Sequence, residues 1–465
     1  MNDINDMKES KNDMHMRNLT PAAVRDVTGA DANGPLPAVE LTAVVRDSRD
    51  VTPGCLFAAI PGERFDGHDF IPAAAKDGAV CVLCERFTDD DIPQLRVPDT
   101  QAALRKLAAF YRRQFSVPFV GVTGSVGKTT AKEMIWAVLS TRFDTMKTQK
   151  NFNNELGVPL TLFSLRDRHE AAVVEMGISG FGEMTRLTEM VRPDIAVFTR
   201  IGDAHLEFLG DRPGVLRAKG EIVTGMPADG VVIANGDDPL LAAHDFGRRT
   251  VLFGLGEGCA VRAVDVEADE SGARCVIEAG DRRIPVVIPA FGRHMVYAAL
   301  MGAAVGLTLG LTDGEIAAGI GRYEPVGSRA RVVKTPLLTI VDDCYNANPT
   351  STENALESLA SLPGRHVAIL GDMLELGGDA GRLHEQVGVC AKNTGAFTAA
   401  CGPLSKHIAA GAGEGALWYP DADGLIAALP DFIRAGDAVL VKASHAMGFD
   451  RVVEALERMA SAESC

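Results

Sequence analysis

Blocks of apolar and polar residues alternate along this chain in a way that predicts an α/β fold. In the middle of the chain, apolar runs at residues 119–122, 171–175, 194–199 and 230–235 alternate with segments whose apolar residues recur at helical spacing. Strands that alternate with helices are typical of a parallel sheet covered by helices on both faces. We therefore predict a central α/β domain with a parallel sheet at residues 101–326.

Two smaller α/β patterns flank this segment. Before it we predict a strand at residues 41–45 and a helix at 71–76, and after it strands at 337–341, 366–370 and 438–441. Thr350 and Glu353 have the spacing of a capping box and predict a helix that runs to Leu362. The 465 residues thus divide into predicted domains at 19–100, 101–326 and 327–465, after a disordered extension at 1–18.

A glycine-rich turn joins the first strand of the central domain to a helix. The turn and the first residues of the helix are Gly124-Ser125-Val126-Gly127-Lys128-Thr129-Thr130. Glycines let successive backbone N–H groups turn toward an anion, and the helix N-terminus adds positive potential. Lys128 can reach terminal phosphates and the Thr129 hydroxyl suits Mg²⁺. Although the turn is shorter than the common phosphate loop, we predict that it binds ATP or a related nucleotide.

Composition and charge narrow the classes of function. The net charge of −16 argues against a general nucleic-acid binder, which needs a basic surface. No apolar stretch is long enough to span a bilayer, and the first residues lack the apolar segment of a signal peptide. We therefore predict a cytoplasmic protein without a membrane span or a nucleic-acid partner.

The nine cysteines do not predict a disulfide framework in a chain of this length. Cys81 and Cys84 lie in an apolar run that predicts a buried strand. Residues i and i+3 of a strand point to opposite faces, so this pair is poorly placed to bind one metal ion. We predict that both are core thiols.

Several polar residues follow the predicted central strands, where ligands of parallel sheets bind. Glu175 ends a strand and is either a metal-binding acid or a solvated turn residue. Asn153 and Asn154 are either phosphate-binding amides or turn residues, and His205 is either a metal ligand or structural. Lys219 has the surroundings of a surface lysine.

Taken together, these motifs resemble those of the Mur ligases, the ATP-dependent amide-forming enzymes of peptidoglycan synthesis. The resemblance runs from about residue 19 to the C-terminus. It rests on separated motifs in one order: Asp47-Ser48-Arg49, the loop at 62–70, Thr123 to Thr130, Asn151 to Pro159, Glu175-Met176-Gly177, His205-Leu206-Glu207, Ala218-Lys219-Gly220-Glu221, Asp342 to Pro349 and Gly371 to Gly377. The last two favour the member that uses D-alanyl-D-alanine.

The resemblance implies a UDP-substrate-binding first domain, an ATP-binding central domain and a Rossmann-like C-terminal ligase domain. It implies that ATP is bound by Gly124, Ser125, Val126, Gly127, Lys128, Thr129, Thr130, Asn235 and Asp343. It implies catalytic roles for Lys128, Glu175, His205 and Lys219. Two Mg²⁺ ions would be held by Thr129, Glu175, His205 and Lys219, the lysine as a carbamate. It implies substrate contacts for Ser48, Arg49, Asn153, Asn154, Tyr345, Asn346 and Asn348.

The implied reaction joins D-alanyl-D-alanine to UDP-N-acetylmuramoyl-tripeptide through an acyl phosphate, in a monomeric enzyme. A sister Mur-type or folylpolyglutamate ligase is the nearest alternative. A nucleotide-driven switch is a more distant one, and no Asn-Lys-x-Asp guanine reader is present to support a GTPase.

Three segments differ from the family pattern. The family usually has the pattern Gly-x-His-Asn-x-x-Asn, and its second asparagine reads the adenine edge. At the corresponding positions this chain has Gly292-Arg293-His294-Met295-Val296-Tyr297-Ala298. Near the C-terminus, the usual family sequence Lys-Gly-Ser-Arg is replaced by Lys442-Ala443-Ser444-His445. The arginine that the family has in the hinge before the third domain is either Arg329 or Arg331 in this chain. We predict that asparagine at position 298 would tighten ATP binding.

Overall fold

The computed structural model of this protein describes residues 15–62 and 64–462. Three sheets follow one another along the chain, each with its own helices, which confirms the predicted three-domain α/β class. Residues 1–14 of the predicted extension lie outside the described residues. Met16, by contrast, is fully buried and its backbone N–H donates to the Leu41 carbonyl (2.7 Å). The segment from Met16 therefore packs with the first domain rather than extending from it.

The first domain contains a small sheet of mostly parallel strands. The strands are β1 (Asp31–Ala32), β2 (Val44–Val45), β3 (Leu56–Ala58), β4 (Cys81–Cys84) and β5 (Gln94–Arg96), in the order β1-β5-β4-β3-β2, with β1 antiparallel. The helices are α1 (Pro21–Thr28), α2 (Ile71–Lys76) and α3 (Thr100–Arg112). The helix predicted at 71–76 is confirmed, and the strand predicted at 41–45 is shorter than expected. Cys81 and Cys84 are buried in cores on opposite faces of β4, as predicted.

The second domain contains the largest sheet. Its strands are β6 (Phe119–Thr123), β7 (Thr145–Lys147), β8 (Ala171–Glu175), β9 (Ile195–Phe198), β10 (Val231–Asn235), β11 (Arg249–Gly254), β12 (Val261–Asp269), β13 (Gly272–Ala279) and β14 (Arg282–Ile288). Its helices are α4 (Lys128–Leu139), α5 (Gly157–Phe163), α6 (Glu183–Val191), α7 (Leu206–Leu209), α8 (Arg212–Gly220), α9 (Pro239–Ala242), α10 (Met295–Thr308) and α11 (Asp313–Gly321). The strand order is β14-β13-β12-β11-β10-β9-β6-β8-β7.

The predicted parallel sheet is confirmed from β7 through β12, but the prediction missed an antiparallel extension. Strands β12, β13 and β14 pair as antiparallel neighbours at one edge. In β14 buried residues alternate with exposed ones, so one face is open to solvent. An antiparallel ribbon needs no helical crossover, and the alternation of strands and helices therefore does not reveal it.

The third domain is a second parallel sheet with one antiparallel edge. Its strands are β15 (Arg331–Lys334), β16 (Thr339–Asp342), β17 (His366–Gly371), β18 (Phe397–Cys401), β19 (Leu417–Tyr419) and β20 (Ala438–Lys442), in the order β15-β16-β20-β17-β18-β19. Its helices are α12 (Pro349–Leu359), α13 (Ala380–Asn393), α14 (Lys406–Ala412), α15 (Ala422–Phe432) and α16 (Asp450–Ala462). The predicted capping box was wrong: Asn348 and Ser351 cap α12, because the helix starts at Pro349, two residues before the start that a cap at Thr350 predicts. The helix ends at Leu359 rather than at Leu362.

The packing of the domains determines where a ligand can bind. One continuous core joins the first domain to a face of the central sheet, through α3 residues such as Leu107 and Tyr111. The third domain has cores on both faces of its own sheet, and one of them includes Phe291 of the second domain. Among the described residues, no helix combines the length and the apolar character that crossing a membrane requires.

Candidate active site

A cleft of about 580 Å³ lies between the second and third domains and brings most predicted site residues together. The predicted residues that line it are Ser125, Val126, Gly127, Lys128, Thr129, Thr130, Asn153, Asn154, Glu175, His205, Asn235, Asp343, Tyr345, Asn346 and Asn348. Four predicted residues do not line it. Gly124 and Lys219 belong to the second domain but are not part of the lining, and Ser48 and Arg49 lie in the first domain.

The glycine-rich turn has the conformation that a phosphate loop requires. It follows β6 and ends where α4 begins at Lys128, and both Gly124 (φ 143°) and Gly127 (φ 76°) have positive φ. A Cβ on Gly124 would stand 1.9 Å from Thr199 Oγ1. Thr199 Oγ1 in turn donates to the Val126 carbonyl (2.6 Å), and Ser125 N–H donates to the Arg200 carbonyl (2.8 Å). The segment after β9 thus fixes the conformation of the loop.

Lys128 and Thr129 occupy the first turn of α4, beside the loop. Lys128 Nζ donates to the Gly124 carbonyl (2.8 Å), so the side chain folds back over the loop. Burial lowers the pKa of Lys128. Thr129 Oγ1 donates to Glu175 Oε2 (2.9 Å), which places a hydroxyl and a carboxylate at one point of the cleft. Such oxygen ligands are those that Mg²⁺ prefers.

Glu175 ends β8 and is buried, so it is not the solvated turn residue of the alternative reading. Its Oε1 accepts from Asn153 Nδ2 (2.8 Å), which ties Asn153 to the same carboxylate. Asn154 behaves differently: its Oδ1 accepts from the Leu156 and Gly157 backbone N–H groups (3.2 and 2.9 Å). Asn154 is therefore a turn residue that also lines the cleft.

His205 precedes α7 in a left-handed backbone conformation (φ 55°). Burial lowers the pKa of His205, which favours the neutral imidazole that binds metals. Its Nδ1 lies 2.6 Å from Glu375 Oε2 of the third domain, although the angles of this contact fall outside those of an aligned hydrogen bond.

Lys219 lies on α8 and is fully buried, unlike the surface lysine that its local sequence indicates. Its Nζ has no hydrogen-bond partner among the described residues. Burial, and after it the charge of Lys128, holds the pKa of Lys219 well below its ordinary value. Both effects favour the neutral form of the amine, which has a free lone pair.

The third domain supplies the opposite wall. Lys442, which sequence reasoning did not assign to the site, is buried and donates to Asp343 Oδ2 (2.6 Å) and to the Asn346 carbonyl (2.9 Å). The signal that could have identified it is its position at the end of a predicted apolar strand. Arg329 lies 3.6 Å from the centre of the Tyr345 ring and lines the cleft.

Asn348 and Arg331 have mainly structural contacts. Asn348 Oδ1 accepts from Ser351 N–H as the cap of α12, although the residue also lines the cleft. Arg331 pairs with Asp342 instead (3.1 Å). Of the two hinge arginines, Arg329 is thus the one that faces the cleft.

Helix α10 presents apolar groups to the cleft. Met295, Ala298 and Met301 line it, so no amide stands where the family pattern has its second asparagine. Tyr297 also lines it and donates from its hydroxyl to Asp237 Oδ2 (2.9 Å). Burial, and then the hydrogen bond to Asp237, raises the pKa of Tyr297 to about 12.

In the first domain, Ser48 and Arg49 form a short helical turn capped by Asp47. Arg49 donates two hydrogen bonds to the Asp47 carboxylate (2.9 and 2.6 Å), which lower the pKa of Asp47 to about 2. The Arg49 side chain is 86% exposed, so its guanidinium is accessible to a ligand.

Three family models match the chain in the order of its domains. They are the Mur ligase family catalytic domain (residues 40–112), the Mur ligase middle domain (122–306) and the Mur ligase glutamate ligase domain (321–445).

Curated relatives and solved structures cover nearly the whole chain. The chain is 37% identical to the UDP-N-acetylmuramoyl-tripeptide–D-alanyl-D-alanine ligase of Escherichia coli, over 95% of this chain and 99% of that one. It is 36% identical to the ligase of the same name in Bacillus subtilis, over 92% and 96% of the two chains. A crystal structure of MurF from Acinetobacter baumannii matches with a TM-score of 0.88 and 30% identity, over 94% and 98%. MurF ligase from Thermotoga maritima in complex with ADP matches with a TM-score of 0.82 and 31% identity, over 90% and 98%.

These similarities extend over all three domains and agree with the motifs that line the cleft. The chain therefore belongs to the Mur ligase family.

Proposed function

We propose that this protein is the ATP-dependent ligase that joins D-alanyl-D-alanine to UDP-N-acetylmuramoyl-tripeptide, forming ADP and phosphate. The observation that carries the proposal is the cleft with two complementary walls. One wall offers a phosphate loop with Lys128 and the carboxylate of Glu175, and the other offers Asp343, Tyr345 and Lys442. Because a ligase must bring a nucleotide and two further substrates to one point, a cleft between domains suits it.

Two Mg²⁺ ions would be held by residues of the cleft together with Lys219, provided that Lys219 is carbamylated. We propose that Thr129 and Glu175 hold one ion and that His205 and Lys219 hold the other. No group of three or more His, Cys, Asp or Glu residues that could hold a metal occurs in the described part of the chain. A neutral, unpartnered amine at Lys219 would react with CO₂, and the resulting carbamate would supply the missing anionic ligand. Bound there, Mg²⁺ would offset the repulsion between two anionic reactants.

The remaining residues support a two-step reaction. The C-terminal carboxylate of the tripeptide attacks the γ-phosphorus of ATP, which gives an acyl phosphate and ADP. The amine of D-alanyl-D-alanine then attacks the acyl carbon and releases phosphate. Lys128 would stabilise the charge on the β- and γ-phosphates from its place over the loop. Because an acyl phosphate hydrolyses in water, the third domain would protect it by covering the cleft.

The substrate-binding roles follow from position. We propose that Asn153, Tyr345, Asn346 and Asn348 contact the reacting ends of the substrates, because all four line the cleft. Ser48 and Arg49 lie in the first domain, away from the cleft residues. The exposed Arg49 guanidinium would bind the pyrophosphate of the UDP moiety.

The cellular role follows from the substrates. Nucleotide-activated precursors and ATP are cytoplasmic compounds, so we propose that the enzyme acts in the cytoplasm. Since both walls of the cleft come from one chain, we also propose that the enzyme acts as a monomer.

A coupled assay tests this function. Purified protein with ATP and Mg²⁺ should release phosphate only when UDP-N-acetylmuramoyl-tripeptide and D-alanyl-D-alanine are both present. Mass spectrometry should then show the pentapeptide product. Phosphate release that does not depend on the dipeptide would contradict the proposal and would favour a sister ligase or a nucleotide-driven switch.

A further inference from the structure

A close contact joins the catalytic cleft to a loop of the third domain. His205 Nδ1 lies 2.6 Å from Glu375 Oε2, and the two side chains are 26% and 53% exposed. The residues belong to different domains and are far apart in sequence. Both have a left-handed backbone, with φ values of 55° and 62°. Non-glycine residues adopt this conformation at a cost, and such strain gathers at sites where surrounding contacts maintain it.

The loop that carries Glu375, residues 371–377, is fixed within the third domain. The Asp372 carboxylate accepts from the Ser405 backbone N–H (2.7 Å) and hydroxyl (2.6 Å). His384 Nε2 accepts from Met373 N–H (2.9 Å), and Ser444 Oγ accepts from Leu374 N–H (3.0 Å). Because three independent anchors hold the loop, the Glu375 backbone can move only with the third domain.

The backbones on either side of the contact also lie close together. A Cβ added to Gly377 would lie 3.2 Å from Glu207 Cα, which is closer than side chains normally pack. Leu206 packs against a core cluster of the third domain as well as one of the second. The segment from His205 to Glu207 is thus seated directly on the third domain, so separation of the domains would break the contact.

The contact also distinguishes the two ring nitrogens of His205. Glu375 Oε2 lies 2.6 Å from Nδ1, so Nε2 is the nitrogen that points away from the carboxylate. Carboxylates that orient a metal-binding histidine raise its affinity for the metal.

We propose that Glu375 is a positioning residue that makes the orientation of His205 depend on domain closure. When the third domain is seated, Glu375 holds Nδ1 and directs Nε2 into the cleft. When the third domain moves away, His205 loses its partner and the site is incomplete. The enzyme would thereby avoid phosphoryl transfer while the cleft is open to solvent. This proposal rests on the proposed role of His205 as a metal ligand.

The test compares Glu375→Ala with a matched control, Glu385→Ala. Glu385 is exposed, has no ion pair in the structure and lies on α13 of the same domain. Small-angle scattering of the protein in a chelating buffer without nucleotide reports on domain separation. An exposed ion pair of this kind changes an equilibrium constant by up to about fivefold. Glu375→Ala should therefore increase the ratio of open to closed forms by about that factor.

The kinetic readout distinguishes positioning from a structural role. Loss of an orienting partner lowers activity by about 10- to 100-fold, so kcat should fall by at least tenfold while the KM for ATP changes less than twofold. Glu375→Gln keeps an acceptor oxygen and should give an intermediate kcat. If Glu375→Ala matches Glu385→Ala in either scattering or kcat, the proposal is wrong. A wild-type protein that forms no amide would refute the proposed function instead, and the scattering comparison would still decide whether the contact holds the domains together.

Discussion

Lys219→Met should stabilise this protein while it abolishes ligation. The wild-type structure buries an amine without a hydrogen-bond partner, and an unsatisfied buried donor costs about 1–3 kcal/mol. Methionine has a similar length, contains no donor and adapts to its surroundings. Above the ordinary pKa of lysine, where the amine is neutral in both the folded and the unfolded protein, the free energy of unfolding should therefore rise by about 1–3 kcal/mol, which corresponds to roughly 2–10 °C in the melting temperature of a domain of this size. At lower pH the gain should be larger.

The stabilisation should depend on pH in a defined direction. The pKa of Lys219 is held well below its ordinary value of 10.5 in the folded protein, so the unfolded chain binds a proton that the folded chain does not. Between those two pKa values, wild-type stability therefore rises by about 1.4 kcal/mol per pH unit. Lys219→Met has no such group, so its advantage should shrink as the pH rises toward 10.

Calorimetry at pH 7 and pH 9.5, without CO₂ and with chelator, measures both effects. Lys106→Met is the control, because Lys106 is an exposed lysine of α3 and its replacement should change neither the melting temperature nor the pH dependence. A Lys219→Met protein that melts below the wild type would refute the reasoning. So would an advantage that is equal at the two pH values, because it would mean that Lys219 is charged in the folded state.

Three further substitutions test other parts of the site. Gly124→Ala would bring a Cβ to 1.9 Å from Thr199 Oγ1 at φ 143°, so nucleotide affinity should fall more than tenfold; an unchanged Kd by calorimetry would contradict the loop geometry. Ala298→Asn would add an amide among the apolar groups that α10 presents to the cleft. The KM for ATP should fall by about two- to tenfold, which corresponds to the net free energy of one hydrogen bond. An unchanged KM would count against this reading. Lys442→Met would leave the Asp343 carboxylate without its buried cation and should destabilise the third domain by about 3–5 kcal/mol; an unchanged unfolding transition would show that the pair contributes little.

The parts of the fold that were predictable depend on local sequence. The strand, turn and helix around Lys128 follow from an apolar run, two glycines and helical spacing, and the structure has β6 and α4 there. Glu175 was predicted at the end of a strand because the apolar run before it is uninterrupted, and it ends β8. Such signals span only a few residues, which is why they can be read without knowledge of the tertiary structure.

The parts that could not be predicted depend on packing between distant segments. Nothing in the sequence around Lys219 indicates burial, because its helix becomes enclosed only when neighbouring elements pack against it. The contact between His205 and Glu375 joins two motifs that were each recognised, but their proximity results from the way the third domain is seated. The capping box at Asn348 and Ser351 was missed because Thr350 and Glu353 have the same spacing two residues further along the chain.

The most direct test of the ligase account follows the oxygen atoms of the tripeptide. UDP-N-acetylmuramoyl-tripeptide with ¹⁸O in both oxygens of its reacting carboxylate is incubated with ATP, Mg²⁺ and D-alanyl-D-alanine, and the released phosphate is analysed by mass spectrometry. If the carboxylate attacks ATP and the amine then displaces phosphate, each phosphate carries one ¹⁸O and the amide product retains the other. Phosphate without ¹⁸O would show that water, not the tripeptide carboxylate, attacks ATP, and the account would be wrong.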